Sequence, residues 1–125
     1  METQSRLQTL TSEARKHIEP LLLKLGTHDW ADVEDAVLSG RCHLVSTPNA
    51  AMIGELVHYP KLTSFILHFA GGDKQELAEL QPNLEQWAKE NGAKRIEIRG
   101  RRGWLREYKE SLDHDNIFIQ IQKDL

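Results

Sequence analysis

Hydrophobic positions change their spacing twice along the chain, near Arg41 and again after Ala70. Over residues 5–25, Leu7, Leu10, Ala14, Ile18, Leu21, Leu22 and Leu25 recur close to every 3.6 residues, the period of one helix face, and Gly26 follows as a stop. Pro20 falls inside that pattern and removes a backbone donor, so the spacing predicts one bent helical element. A second helix is predicted over Trp30–Ser39, with Asp29 as cap, Trp30, Val33, Val37 and Leu38 on one side, and Gly40 at its end. From Arg41 the pattern turns strand-like. Cys42–Ser46 and Met52–Tyr59 flank the turn signal Thr47-Pro48-Asn49 and predict a hairpin. After the break Tyr59-Pro60-Lys61, Leu62–Ala70 is the most apolar strand candidate and so the choice for the sheet centre.

Gly71-Gly72 then returns the pattern to a helical period. Lys74–Asn91 sets Leu77, Leu80, Leu84 and Trp87 on one face, carries Pro82 as a predicted kink and ends at Gly92. Arg95–Arg99 reads as a strand, Trp104–Ser111 as a short helix, and Asn116–Gln122 as a closing strand with Ile117, Ile119 and Ile121 on one face. The strand–helix–strand unit over residues 62–99 predicts a right-handed crossover with parallel strands. Together these elements predict an α/β layered domain.

Composition narrows this reading. A chain of 125 residues is expected to bury one core without metal or disulfide staples. No apolar run reaches the roughly 18–20 residues that cross a bilayer, and the opening residues lack the apolar stretch of a secretory signal. The single cysteine, Cys42, has no internal disulfide partner and reads as a structural thiol. His17, His28, His43, His58, His68 and His114 are scattered without metal-ligand spacing, so no metal site is expected. Net charge is −3, which weighs against general nucleic-acid binding, yet five of the eight arginines lie within Lys94–Arg106, KRIEIRGRRGWLR. A cationic site on an acidic body points to an anionic partner.

The order of elements, the strand–glycine loop–helix–strand core, and the segments VEDAVLSGRCHLV, ELVHYP and AKRIEIRGRRGWLREY together resemble the GNAT superfamily of acyl-CoA-dependent N-acyltransferases, from about Trp30 to the C-terminus. More narrowly they resemble small GNAT-like proteins encoded by bacteriophages. The resemblance implies an α/β fold, a single three-layer GNAT-like domain over residues 1–125 with a mixed central sheet flanked by helices and an N-terminal helical segment over residues 1–26. It also implies a setting in the host cytoplasm or the virion, a phage or host protein as partner, and possible homo-oligomerisation.

In active members of that family the central strand ends in a loop of the form Arg/Gln-x-x-Gly-x-Gly/Ala, whose backbone N–H groups hold the pyrophosphate of coenzyme A. A helix start suits an anion because its first donors are unpaired and carry about half a positive charge. Here the loop reads Ala70-Gly71-Gly72-Asp73-Lys74-Gln75-Glu76, and the family spacing is incomplete. Gly71, Gly72, Asp73 and Lys74 are the positions that would meet acetyl-CoA. Asp73, however, is expected to cap the helix itself, with Glu76 completing a capping box, which would fill the anion seat and repel a pyrophosphate.

Tyr108 stands where the family carries a tyrosine that protonates the departing thiolate, with an amphipathic packing role as the alternative. Glu55, Glu97 and His68 are candidate bases for an ammonium substrate, against the plainer readings of a strand-pair carboxylate for Glu97 and a satisfied half-buried histidine for His68. Arg99, Arg101, Arg102, Trp104 and Arg106 admit three readings: a phosphate grip, a protein contact, or a solvated face paired with Glu97, Glu107, Glu110 and Asp113. The expectation is a catalytically degenerate GNAT-like protein that acts by binding, with an acyl-CoA-dependent N-acetyltransferase as the alternative.

Overall fold

The computed structural model describes residues 2–100 and 120–125. Among these residues three helices and four strands follow in the order α1 (Glu2–Leu25), α2 (Trp30–Leu38), β1 (His43–Thr47), β2 (Ala50–His58), β3 (Thr63–Gly72), α3 (Lys74–Glu90) and β4 (Arg95–Ile98). The fold is mixed α/β. The sheet runs β1-β2-β3-β4, with β1–β2 and β2–β3 antiparallel and β3–β4 parallel, so the apolar strand lies inside the sheet as its composition requires.

Alternation along β2 divides the core. Ala51 and Ile53 join Phe69 and the buried faces of α1 (Ala14, Ile18, Leu22) and α2 (Trp30, Val33, Val37). Ala50 and Met52 turn the other way and join Phe65 and Leu67 with Leu80, Leu84 and Ala88 of α3. All four residues from Ala50 to Ile53 have no exposed surface, because each successive side chain enters an apolar cluster. Neither proline divides its helix. α1 continues through Pro20 and α3 through Pro82, each as a single assigned element.

Three expected boundaries move. The hairpin turn is only Pro48-Asn49, since Thr47 pairs with Ala50, and β2 therefore begins two residues earlier than its β-formers suggest. β3 runs past Ala70 to Gly72 because Ala50 and Ala51 continue to pair with it. Of the closing strand expected over residues 116–122, Gln120–Gln122 are described and belong to no strand. The expected helix at 104–111 lies outside the described residues.

His43 of β1 lies flat on Trp87 of α3, with ring centroids 3.7 Å apart and planes at 5°, while Phe65 meets the same indole edge-on at 5.7 Å. Burial there lowers the His43 pKa below its ordinary 6.5, since a charged imidazolium loses water in the stack. A lowered folded value means that the unfolded chain binds the proton more readily. The stabilising contribution is complete above the ordinary value and is lost as pH falls from there through the depressed folded value. Thermal midpoints should therefore fall as pH drops below about 6.5. His43→Phe, which keeps the stack and removes the titration, should flatten that limb; an unchanged acid slope would remove His43 as its source.

Candidate functional site

The start of α3 is closed by the protein's own backbone and carboxylates. Asp73 stands at the N-cap in extended geometry and its Oδ2 accepts from the Glu76 N–H at 3.0 Å. The Asp73 N–H donates to the Asn49 carbonyl at 2.7 Å, and the Glu76 carboxylate accepts from the Asn49 N–H at 3.3 Å. The expected capping box is thus corrected: Glu76 reaches the β1–β2 turn because the Asp73 N–H is already taken. The nearby Thr47 hydroxyl, with Asn49, holds the Glu76 carboxyl below its ordinary range.

Close packing requires the paired glycines. A Cβ on Gly71 would lie 2.1 Å from the His17 carbonyl oxygen of α1, and one on Gly72, where φ is +112°, would lie 2.2 Å from the Asn49 carbonyl. The Gly71-Gly72 segment therefore rests against α1 and the hairpin turn. Lys74 is the first residue of α3 and engages in an interaction of its own.

A second group of candidates meets at a bulge. Ile53 pairs with Phe69 and Gly54 with Leu67, which leaves His68 as the extra residue on β3. Gly54 is required at this point, since a Cβ there would lie 2.5 Å from the Ile66 carbonyl oxygen and 2.6 Å from the Phe65 ring. The resulting register sets His68 beside Glu55, and His68 Nε2–H donates to Glu55 Oε1 at 2.7 Å. Side-chain exposures of 23% and 38% leave this pair open to water. Parallel pairing of β3 with β4 ends at Leu67 and Ile98, one residue before the bulge.

Glu97 shares a row with this pair, because Glu55 pairs with Ile66 and Ile66 with Glu97. Ile96 and Ile98 pack on the α3 side, so Glu97 faces the opposite side as alternation requires. Its carboxylate accepts from the Tyr59 hydroxyl at 3.2 Å, and no arginine among the described residues holds it. Cys42 is half buried, and its thiol is pushed up by burial and then by the Glu55 charge, which favours the protonated form over a nucleophilic thiolate.

Arg95 and Arg99 are exposed, as is Lys94, and none of the three forms an ion pair among the described residues. The Lys94 N–H donates to the Thr63 carbonyl at 2.8 Å, which fixes that cation at the entry of β3. Tyr108, Arg101, Arg102, Trp104 and Arg106 lie outside the described residues. Among the described residues no group of three His, Cys, Asp or Glu is arranged to hold a metal ion, and no helix is long and apolar enough to cross a membrane.

The His68–Glu55 pair is the arrangement that single-residue reasoning missed. A lone imidazole inside an apolar strand needs a polar partner, and that requirement was the available signal. No family model matches the chain, and no curated protein matches it.

Two substitutions separate the cap from the close approach. Asp73→Ala should cost about 1 kcal/mol through the lost N-cap bond. Gly71→Ala must move α1 away from β3 and should cost about 1–3 kcal/mol, the range for overpacking. Denaturant midpoints at a constant slope would test the ranking; a harmless Gly71→Ala would refute the backbone contact.

Proposed function

We propose that this chain is a GNAT-like domain, resembling the small phage-encoded ones, that acts by binding a phage or host protein and not by acyl transfer. The observation that carries this reading is the closed start of α3. Donors that would receive a pyrophosphate already bond Asp73 and Asn49, and two carboxylates, Asp73 and Glu76, stand within its first turn. An incoming anion would have to displace the cap and face both negative charges. Exposed Arg95 and Arg99, which form no ion pair among the described residues, support a contact surface that continues in sequence through Arg101, Arg102, Trp104 and Arg106.

The His68–Glu55 bond favours a second reading, an N-acetyltransferase with a divergent loop. An imidazole bonded to a carboxylate and open to water can accept a proton from an ammonium group brought within reach. In this reading Glu55 orients His68, and Tyr108 supplies the acid.

Calorimetric titration with acetyl-CoA decides between the two. The unmodified protein should give no binding heat, and Asp73→Gly should recover binding if the cap carboxylate alone blocks the loop. Saturable binding by the unmodified chain would overturn the degenerate reading. On the binding side, Arg99→Ala with Trp104→Ala should release a co-purifying partner without lowering the thermal midpoint.

A further inference from the structure

Backbone bonds at β1 leave one short open window on the sheet. The Asn49 carbonyl faces β3, since it accepts from the Asp73 N–H, and edge direction alternates along an antiparallel strand. Ala51 and Ile53 therefore direct their backbone groups toward β3, while Ala50, Met52 and Gly54 direct theirs toward β1. Their register partners are Thr47, Val45 and His43. Leu44 and Ser46, between them, turn N–H and C=O to the outer edge.

The same parity applies to Cys42 and Pro48, and the protein closes both positions itself. The Cys42 N–H donates to the Ala36 carbonyl of α2 at 2.9 Å. Pro48 has no N–H, and its carbonyl accepts from His17 Nε2 at 3.2 Å. β1 is an edge of the sheet among the described residues, and no described group bonds the outward backbone of Leu44 or Ser46. Four backbone groups between two closed ends thus have no partner among the described residues.

We propose that this window is a self-association site, in which β1 strands of two copies pair antiparallel about a two-fold axis at Val45. Leu44 of each copy then lies opposite Ser46 of the other, and the four outward groups of each strand satisfy one another through four hydrogen bonds. Self-pairing sets like side chains near like, and His43, Leu44, Val45, Ser46 and Thr47 include no carboxylate, lysine or arginine to repel its own copy. β1 carries no lysine, bulge or proline within the strand, so its shortness is what limits edge pairing. A ladder of four hydrogen bonds makes a weak contact, so the dimer forms with rising concentration. This inference is independent of what the arginine surface binds.

Amide exchange on the unmodified full chain tests the pairing directly. The Leu44 and Ser46 amides should exchange quickly in dilute solution and slow at least several-fold at high concentration, while Val45 stays protected in both. Sedimentation should show the matching monomer–dimer shift. Ser46→Pro removes an outward N–H that the monomer does not use, so it should keep the far-UV spectrum and abolish the shift. Ser46→Lys, which leaves the backbone donor and adds a charge to each copy, should weaken it. A chain that stays monomeric at all concentrations, or a dimer whose Leu44 and Ser46 amides remain unprotected, would overturn the proposal. Pairing that requires an added extended peptide and excludes a second copy would overturn it too.

Discussion

At Gly71 the backbone of β3 meets the backbone of α1 with no side chain between them, and much of the molecule is arranged around that approach. The absent Cβ lets the His17 carbonyl settle on the strand. With α1 held at that height, Ala14 and Ile18 reach Ala51 and Ile53, and His17 Nε2 reaches the Pro48 carbonyl of the hairpin turn. That turn in turn presents Asn49 to Asp73 and Glu76. One close contact thus links the first helix, the hairpin and the start of α3. Displacement of α1 therefore propagates to the turn and the cap, because interiors packed at this density transmit strain.

The bulge on β3 imposes the second constraint. An unbulged continuation of the Ile53–Phe69 register would set Gly54 opposite His68 and Glu55 opposite Leu67. The extra residue shifts the pairing by one, so that Gly54 meets Leu67 and Glu55 meets Ile66. Glu55 then has an imidazole beside it, while Gly54 leaves room for the Ile66 carbonyl and the Phe65 ring. A polar pair is thereby accommodated in an otherwise apolar strand, at the point where β4 stops pairing.

Every helix and strand from Trp30 to Ile98 is legible in the sequence to within about two residues, because their apolar periods are strong and glycines punctuate them. The remaining differences have specific causes. Ala50 and Ala51 have weak β propensity, yet they belong to β2 because burial between two apolar clusters outweighs propensity. Gly71 and Gly72 read as loop from composition, but they extend β3 because only glycine permits the contacts with α1 and Asn49. The Asp73 cap was legible, since its signal is local. The route of Glu76 to Asn49 was not, since it depends on how the hairpin turn is placed. Glu55 and His68 were each visible as titratable residues, but their pairing depends on a bulge that no local pattern encodes.

Charge is distributed unevenly along β3, and that distribution bears on where an anion can approach. Asp73 and Glu76 follow its Gly72 end, with Lys74 between them already engaged, whereas Lys94 and Arg95 stand beside Thr63 and Ser64 at its start. The ten residues of strand set the two ends up to about 30 Å apart at 3.3 Å per residue, several screening lengths at physiological salt. The two groups therefore act on a partner almost independently. An anionic group is repelled by the carboxylates at the α3 start and attracted at the β4 entry, where the cations face water without a carboxylate partner among the described residues. The glycine loop leads into a helix start already filled by the protein's own carboxylate and turn carbonyl, and the arginine-bearing strand offers the electrostatics without a helix start. A protein surface with its own acidic groups can use the second kind of site, because it needs no enclosed cradle of backbone donors.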